Sequence, residues 1–124
     1  MRYLVLIYSN PESRAIWDRM GNDERSAGLD AYAALDEELA ASGELVVSEA
    51  LAEPALTTRV TVRDGRALTT DGPFAETKEL LAGFYLVEVP TRERAVRIAA
   101  RIPEARLGLV EVRPALSSLD DFLR

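Results

Sequence analysis

The chain has 124 residues, enough for one domain with its own core and too few for two. Hydrophobic residues make up 48% and charged residues 29%, which excludes a disordered, charge-rich chain. Its 21 acidic and 15 basic residues give a formal charge of -6, so nucleic-acid phosphate meets net repulsion, and with no cysteine and no histidine there is no disulfide framework, thiolate nucleophile or imidazole base.

Tyr3 to Tyr8 is continuously apolar and rich in β-formers, the pattern of a central strand covered on both faces. The run is too short for a signal sequence or a membrane span, and a cytoplasmic protein is expected. Ser9-Asn10-Pro11 breaks the strand, and a loop to about Gly21 follows. Its Ile16, Trp17 and Met20 are unusually apolar for an exposed connection. They either plug one end of the core, cover a pocket as a lid, or meet another subunit.

Asn22 is read as the N-cap of a helix running to about Ser42, with Asp23 and Glu24 in the first turn and Gly43 as the stop. Gly28, Tyr32, Leu35 and Leu39 form one stripe that packs on the sheet, while Asp36, Glu37 and Glu38 largely avoid it. Leu45 to Leu51 reads as a strand ended by Pro54. Arg59 to Arg63 and Arg66 to Thr70 read as a hairpin around Asp64-Gly65.

The central stretch is Asp71-Gly72-Pro73-Phe74-Ala75-Glu76-Thr77-Lys78-Glu79, where Gly72 and Pro73 turn the chain. A strand over Ala82 to Val89 follows. Thr91 caps a second helix with a buried stripe of Ala95, Ile98 and Ile102 and a Glu93–Arg97 pair at i,i+4. Arg92, Arg94, Arg97 and Arg101 read as a solvated helix face, because acids intersperse them and no aromatic platform accompanies them. The last strand spans Leu107 to Arg113 and closes at Pro114. Residues 1–114 thus form the domain, and the 115–124 tail, with Leu116, Leu119, Phe122 and Leu123, is too apolar to float free and docks on its own domain or on a partner subunit.

The run D-G-P-F-A-E-T-K-E, with L-x-G-F-Y-L-V-E-V, A-R-I-P-x-A-R and V-E-V-R-P beyond it, resembles the DGPF subgroup of the YCII-related family from Arg2 to Pro114. The pattern strand, helix, strand, repeated on either side of the hairpin and signature, predicts an α+β, ferredoxin-like fold with an antiparallel sheet and both helices on one face. Strands apolar on both sides leave the second face needing cover, and an identical subunit stacked sheet against sheet supplies it. The resemblance implies the same, a dimeric α/β barrel type with clefts near the sheet.

Asp71 is the first candidate site residue and the candidate catalytic group. It either accepts hydrogen bonds from the turn beyond Gly72, or sits half-buried at a cleft mouth beside Phe74, poised for proton transfer. Glu76, Lys78 and Glu79 either offer opposite charges to a small polar ligand or form solvated surface pairs. Arg113, with Glu111 on the same strand face, forms an ion pair or meets an anion. Tyr8, Tyr32 and Tyr85 line a pocket or belong to the core.

The YCII resemblance implies a histidine paired with an aspartate, and this histidine-free chain cannot form that pair. Asp30 and Asp36 on the first long helix lack the imidazole. No dinucleotide, Walker, zinc-protease or nucleophile-elbow motif occurs, so no metal and none of the common cofactors is expected. The reading is a small-molecule cleft near the signature that binds or transforms a metabolite. As an alternative, the resemblance implies an accessory or regulatory role beside an extracytoplasmic-function sigma factor. Direct nucleic-acid contact and a membrane are not expected.

Overall fold

The computed structural model describes residues 1–72, 79–116 and 118–123. Six strands and three helices run β1 Arg2–Ser9, α1 Pro11–Arg19, α2 Asn22–Ser42, β2 Leu45–Ala50, β3 Thr58–Arg63, β4 Arg66–Asp71, β5 Leu80–Glu88, α3 Arg92–Ala100 and β6 Val110–Ala115, with short 3-10 turns at Pro54–Leu56, Pro103–Leu107 and Leu119–Leu123. Four strands form an antiparallel sheet in the order β2-β5-β1-β6, so the two strand-helix-strand halves interleave. The remaining pair, β3 and β4, is a separate two-stranded ribbon.

Alternation along the sheet decides what is inside. Tyr3, Val5 and Ile7 of β1 and Tyr85 and Val87 of β5 point to the helix layer. There they meet Leu35 and Leu39 of α2 and Ala95, Ile98 and Ala99 of α3 in one core. Each of the larger buried side chains contributes roughly 1.5–3 kcal/mol relative to exposure.

Local signals place most elements where the sequence put them. Asp64 and Gly65 both take positive φ, 52° and 74°, the turn that a two-residue hairpin needs. Thr91 caps α3 by accepting from the Arg94 amide at 3.1 Å. Gly43, at φ 80°, stops α2.

Several expectations need correction. The connection after β1 is not a loop but the helix α1, because Asn10 and Ser13 cap it reciprocally and Pro11 begins it. Gly21, not Asn22, is the N-cap of α2. Of the α2 stripe, Tyr32, Leu35 and Leu39 reach the core and Gly28 does not: a 21-residue helix, about 31 Å long, outruns the sheet strand beside it, and a side chain at Gly28 would touch nothing within 4 Å. The final strand begins at Val110 after a 3-10 turn and Gly108 at φ 71°, and it carries Pro114 inside it. That proline is tolerated because β6 is an edge strand. Glu93 lies 4.0 Å from Arg92 instead of reaching Arg97.

The arginine face of α3 is partly engaged by acids. Arg94 bonds Glu44 and Arg101 bonds Glu38, which leaves little of a basic stripe. Among the described residues no helix is long and apolar enough to cross a membrane.

Candidate functional site

The polar chemistry of the described residues collects on the helix side of the sheet. Tyr85 follows the inward alternation of β5 and is buried, yet it carries a hydroxyl that must find a partner. Asp36, one residue along α2 from buried Leu35, supplies it, with the phenol donating to Oδ1. Tyr32 lies one turn before Asp36 on α2, and its hydroxyl donates to Oε2 of Glu104 in the 3-10 turn after α3. Three elements distant in sequence therefore bring two phenols and two carboxylates together.

The electrostatics follow from burial and charge. Desolvation raises the Tyr85 phenol well above its ordinary range, and the hydrogen bond and charge of Asp36 add to it, with Glu104 contributing. Tyr32 is raised in the same way by burial, then by Glu104, with Tyr85 and Asp36 behind. Both phenols stay protonated and act as donors, and among the described residues no cation is one of the groups that act on either. Each carboxylate accepts one phenol and retains lone pairs for a hydroxyl or ammonium donor. An anionic ligand would be repelled.

The opposite sheet face is a second setting. Across it run the rows Leu86, Leu4, Arg113 and Phe84, Leu6, Glu111, in which the four apolar residues are half-buried and the two charged ones exposed. Tyr8 belongs to this face. Its phenol is raised by burial first, then by a hydrogen bond to Glu111 and that carboxylate's charge, with Arg113 opposing and Glu79 adding.

The candidates named from the sequence thus separate. Tyr85 stands under the helices, whereas Tyr8 and Arg113 share the open face. Asp71 ends the ribbon strand β4, exposed instead of half-buried, and accepts from the Thr58 hydroxyl at 3.1 Å while the Gly72 amide bonds Thr57 O at 2.7 Å. Phe74, Glu76 and Lys78 lie outside the described residues. Glu104 was missed; its only signal was its place between Pro103 and Ala105 in the A-R-I-P-x-A-R run. Asp36, with no imidazole to pair with in this histidine-free chain, accepts from the Tyr85 phenol instead. Among the described residues no cluster of three or more acids is arranged to hold a metal ion.

Comparison with known proteins locates the chain. The YCII-related domain matches residues 1–117. The chain belongs to the YCII-related family. An uncharacterised protein of Rhizobium meliloti (strain 1021) is similar to it at 31% identity over 116 residues, covering 92% of this chain and 91% of that one. Among solved structures it resembles 5-chloro-2-hydroxyhydroquinone dehydrochlorinase of Burkholderia phenoliruptrix AC1100 in complex with 2,5-dihydroxybenzoquinone, at 13% identity and a TM-score of 0.49, with 95% and 96% of the two chains covered.

Proposed function

We propose that this YCII-related chain, of the DGPF subgroup, is a cytoplasmic homodimeric domain that binds a small neutral or cationic organic molecule bearing hydroxyl or amine donors. The observation that carries the reading is the meeting of Tyr85 with Asp36 and Tyr32 with Glu104 at the margin of the core. Fixed phenol donors beside carboxylates with spare lone pairs suit a donor-rich ligand. They disfavour phosphates and carboxylates. A carboxylate bonded to a phenol is also a short proton relay, so turnover of the bound molecule is the second reading. The homodimer rests on the half-buried row Leu4, Leu6, Phe84 and Leu86, which an identical face would cover.

Thermal unfolding against matched panels of polyols, phenols, amines and organic anions tests the ligand class. A ligand at about 100 times its Kd adds about 2.7 kcal/mol, a rise of several degrees for a domain of this size. The expected result is a rise with a neutral or cationic compound that Asp36→Asn and Glu104→Gln each abolish. A rise confined to anions sinks the reading. A panel that moves nothing, followed by recovery of a sigma factor on the native chain, would favour the accessory role instead.

A further inference from the structure

Gly28 is the odd position on α2. It lies inside a 21-residue helix, where only proline is less favourable than glycine, and it stands on the stripe that continues through Tyr32, Leu35 and Leu39 into the core. Five glycines would carry a Cβ without meeting any described atom within 4 Å. Four of them, Gly21, Gly43, Gly65 and Gly108, are exposed, and Gly28 alone of the five is half-buried. Covered yet untouched, it faces a recess under the stretch of α2 that outruns the sheet.

Two groups bracket this recess along the helix. Arg25, three residues before Gly28, donates from Nε and Nη2 to the Trp17 carbonyl at 3.1 and 2.9 Å, and its guanidinium stands 4.9 Å from the centre of the indole ring. Trp17 is thereby fixed near the end of α1, yet it stays 41% exposed. Tyr32, four residues after Gly28, gives its hydroxyl to Glu104, whose carboxylate keeps lone pairs for a further donor. Positions 25, 28 and 32 share one helix face, and at a 1.5 Å rise per residue the outer two lie about 10 Å apart along the axis, the span of a substituted ring.

A pinned, exposed indole and a bare stretch of backbone favour a flat apolar body, and the Tyr32–Glu104 pair favours a hydroxyl or amine at one end of it. Acyclic polyols meet only the second demand. We infer that the recess over Gly28 seats a ring compound bearing a hydroxyl or amine donor, its flat body between Trp17 and Tyr32 and its donor on Glu104. Position 28 is glycine because a side chain there would take the ring's place. The inference rests on the ligand reading above and narrows it to ring compounds.

Trp17 is the only tryptophan, so its emission reports on this recess. Tyramine, a phenol with an ammonium group, is the probe, and ethanolamine, which keeps the donors without the ring, is the control. Tyramine is expected to shift the emission saturably and to raise the melting temperature, and ethanolamine to do neither. Gly28→Leu is expected to melt no lower than the wild type, since a better helix former enters open space, and to bind tyramine at least tenfold more weakly. A Gly28→Leu chain that melts below the wild type would show the space to be closed and overturn the inference. So would unaltered tyramine affinity in that variant, an equal response to ethanolamine, or a compound whose stabilisation needs Asp36 and Glu104 but leaves the emission unmoved; in these cases the broader ligand reading stands. If no compound of any class stabilises the chain, that reading falls and this one with it.

Discussion

Arg94 on α3 grips Glu44, which stands between α2 and β2, through two parallel hydrogen bonds, Nε to Oε2 at 2.7 Å and Nη2 to Oε1 at 2.8 Å. The fork geometry of guanidinium on carboxylate ties the two helices together at the end of the sheet. Ser42 adds a hydroxyl donor at 2.7 Å. The Arg94 hydrogen bonds foremost, then Ser42, hold the Glu44 carboxyl at about 2 against an ordinary 4.5.

Stability should therefore depend on acid in one window. The folded value lies below the unfolded one, so the contribution is complete above about pH 4.5 and is lost as pH falls toward about 2. Allowing for the partial exposure of the pair, it amounts to about 1–2 kcal/mol. Glu44→Gln should lower stability at neutral pH by about that amount and flatten the pH dependence below 4.5, measured by urea unfolding across pH; an unchanged acid limb would count against the pair.

Gly83 is required by a close approach, not by its φ. A Cβ there would stand 2.8 Å from the Glu49 carbonyl oxygen of β2, a backbone atom that cannot swing aside. Gly83→Ala should cost about 1–3 kcal/mol by prising β2 from β5. The amides of Leu45–Ala50 should then lose hydrogen-exchange protection before those of β1, and equal protection in both strands would argue that the sheet absorbs the methyl group.

Tyr85→Phe removes a donor to Asp36 while keeping the ring in the core. A hydrogen bond to a charged acceptor contributes about 1.5–3 kcal/mol, and the expected loss lies at the lower end because Asp36 is partly solvated. Asp36→Asn in the same background should then add little, since the pair acts as a unit. Additive losses in that double-mutant cycle would show the two side chains to be independent.

Leu6 occupies the middle of the open sheet face, between Phe84 and Glu111. If two copies stack as proposed, Leu6→Lys should give a species that dissociates at micromolar concentration, while circular dichroism stays native. A variant that unfolds would instead place Leu6 in the chain's own stability.

How much of this was legible beforehand depended on range along the chain. Asp64-Gly65, the Thr91 cap and the Leu35/Leu39 stripe are local, each decided by residues within a turn or two, and each stood in the sequence. Helix α1 was hidden because its box uses Ser13 in place of Glu or Gln, and Pro11 reads equally as a break or a start. The candidate site was not legible. Tyr85 and Asp36 are 49 positions apart and Tyr32 and Glu104 are 72, so only the interleaved sheet topology joins them. Tyr8 and Arg113 were readable as strand residues, but their sharing of one face depends on the β1–β6 register.

Among the described residues, the ribbon of β3 and β4 forms its ladder hydrogen bonds within itself and joins no other sheet. All of its residues are exposed, Val60 and Val62 among them. It is an appendage whose opening leaves the central scaffold untouched, so its amides should trade deuterium on their own fast clock. A graft or deletion there would reshape the outer silhouette of the molecule at almost no expense to its melting point.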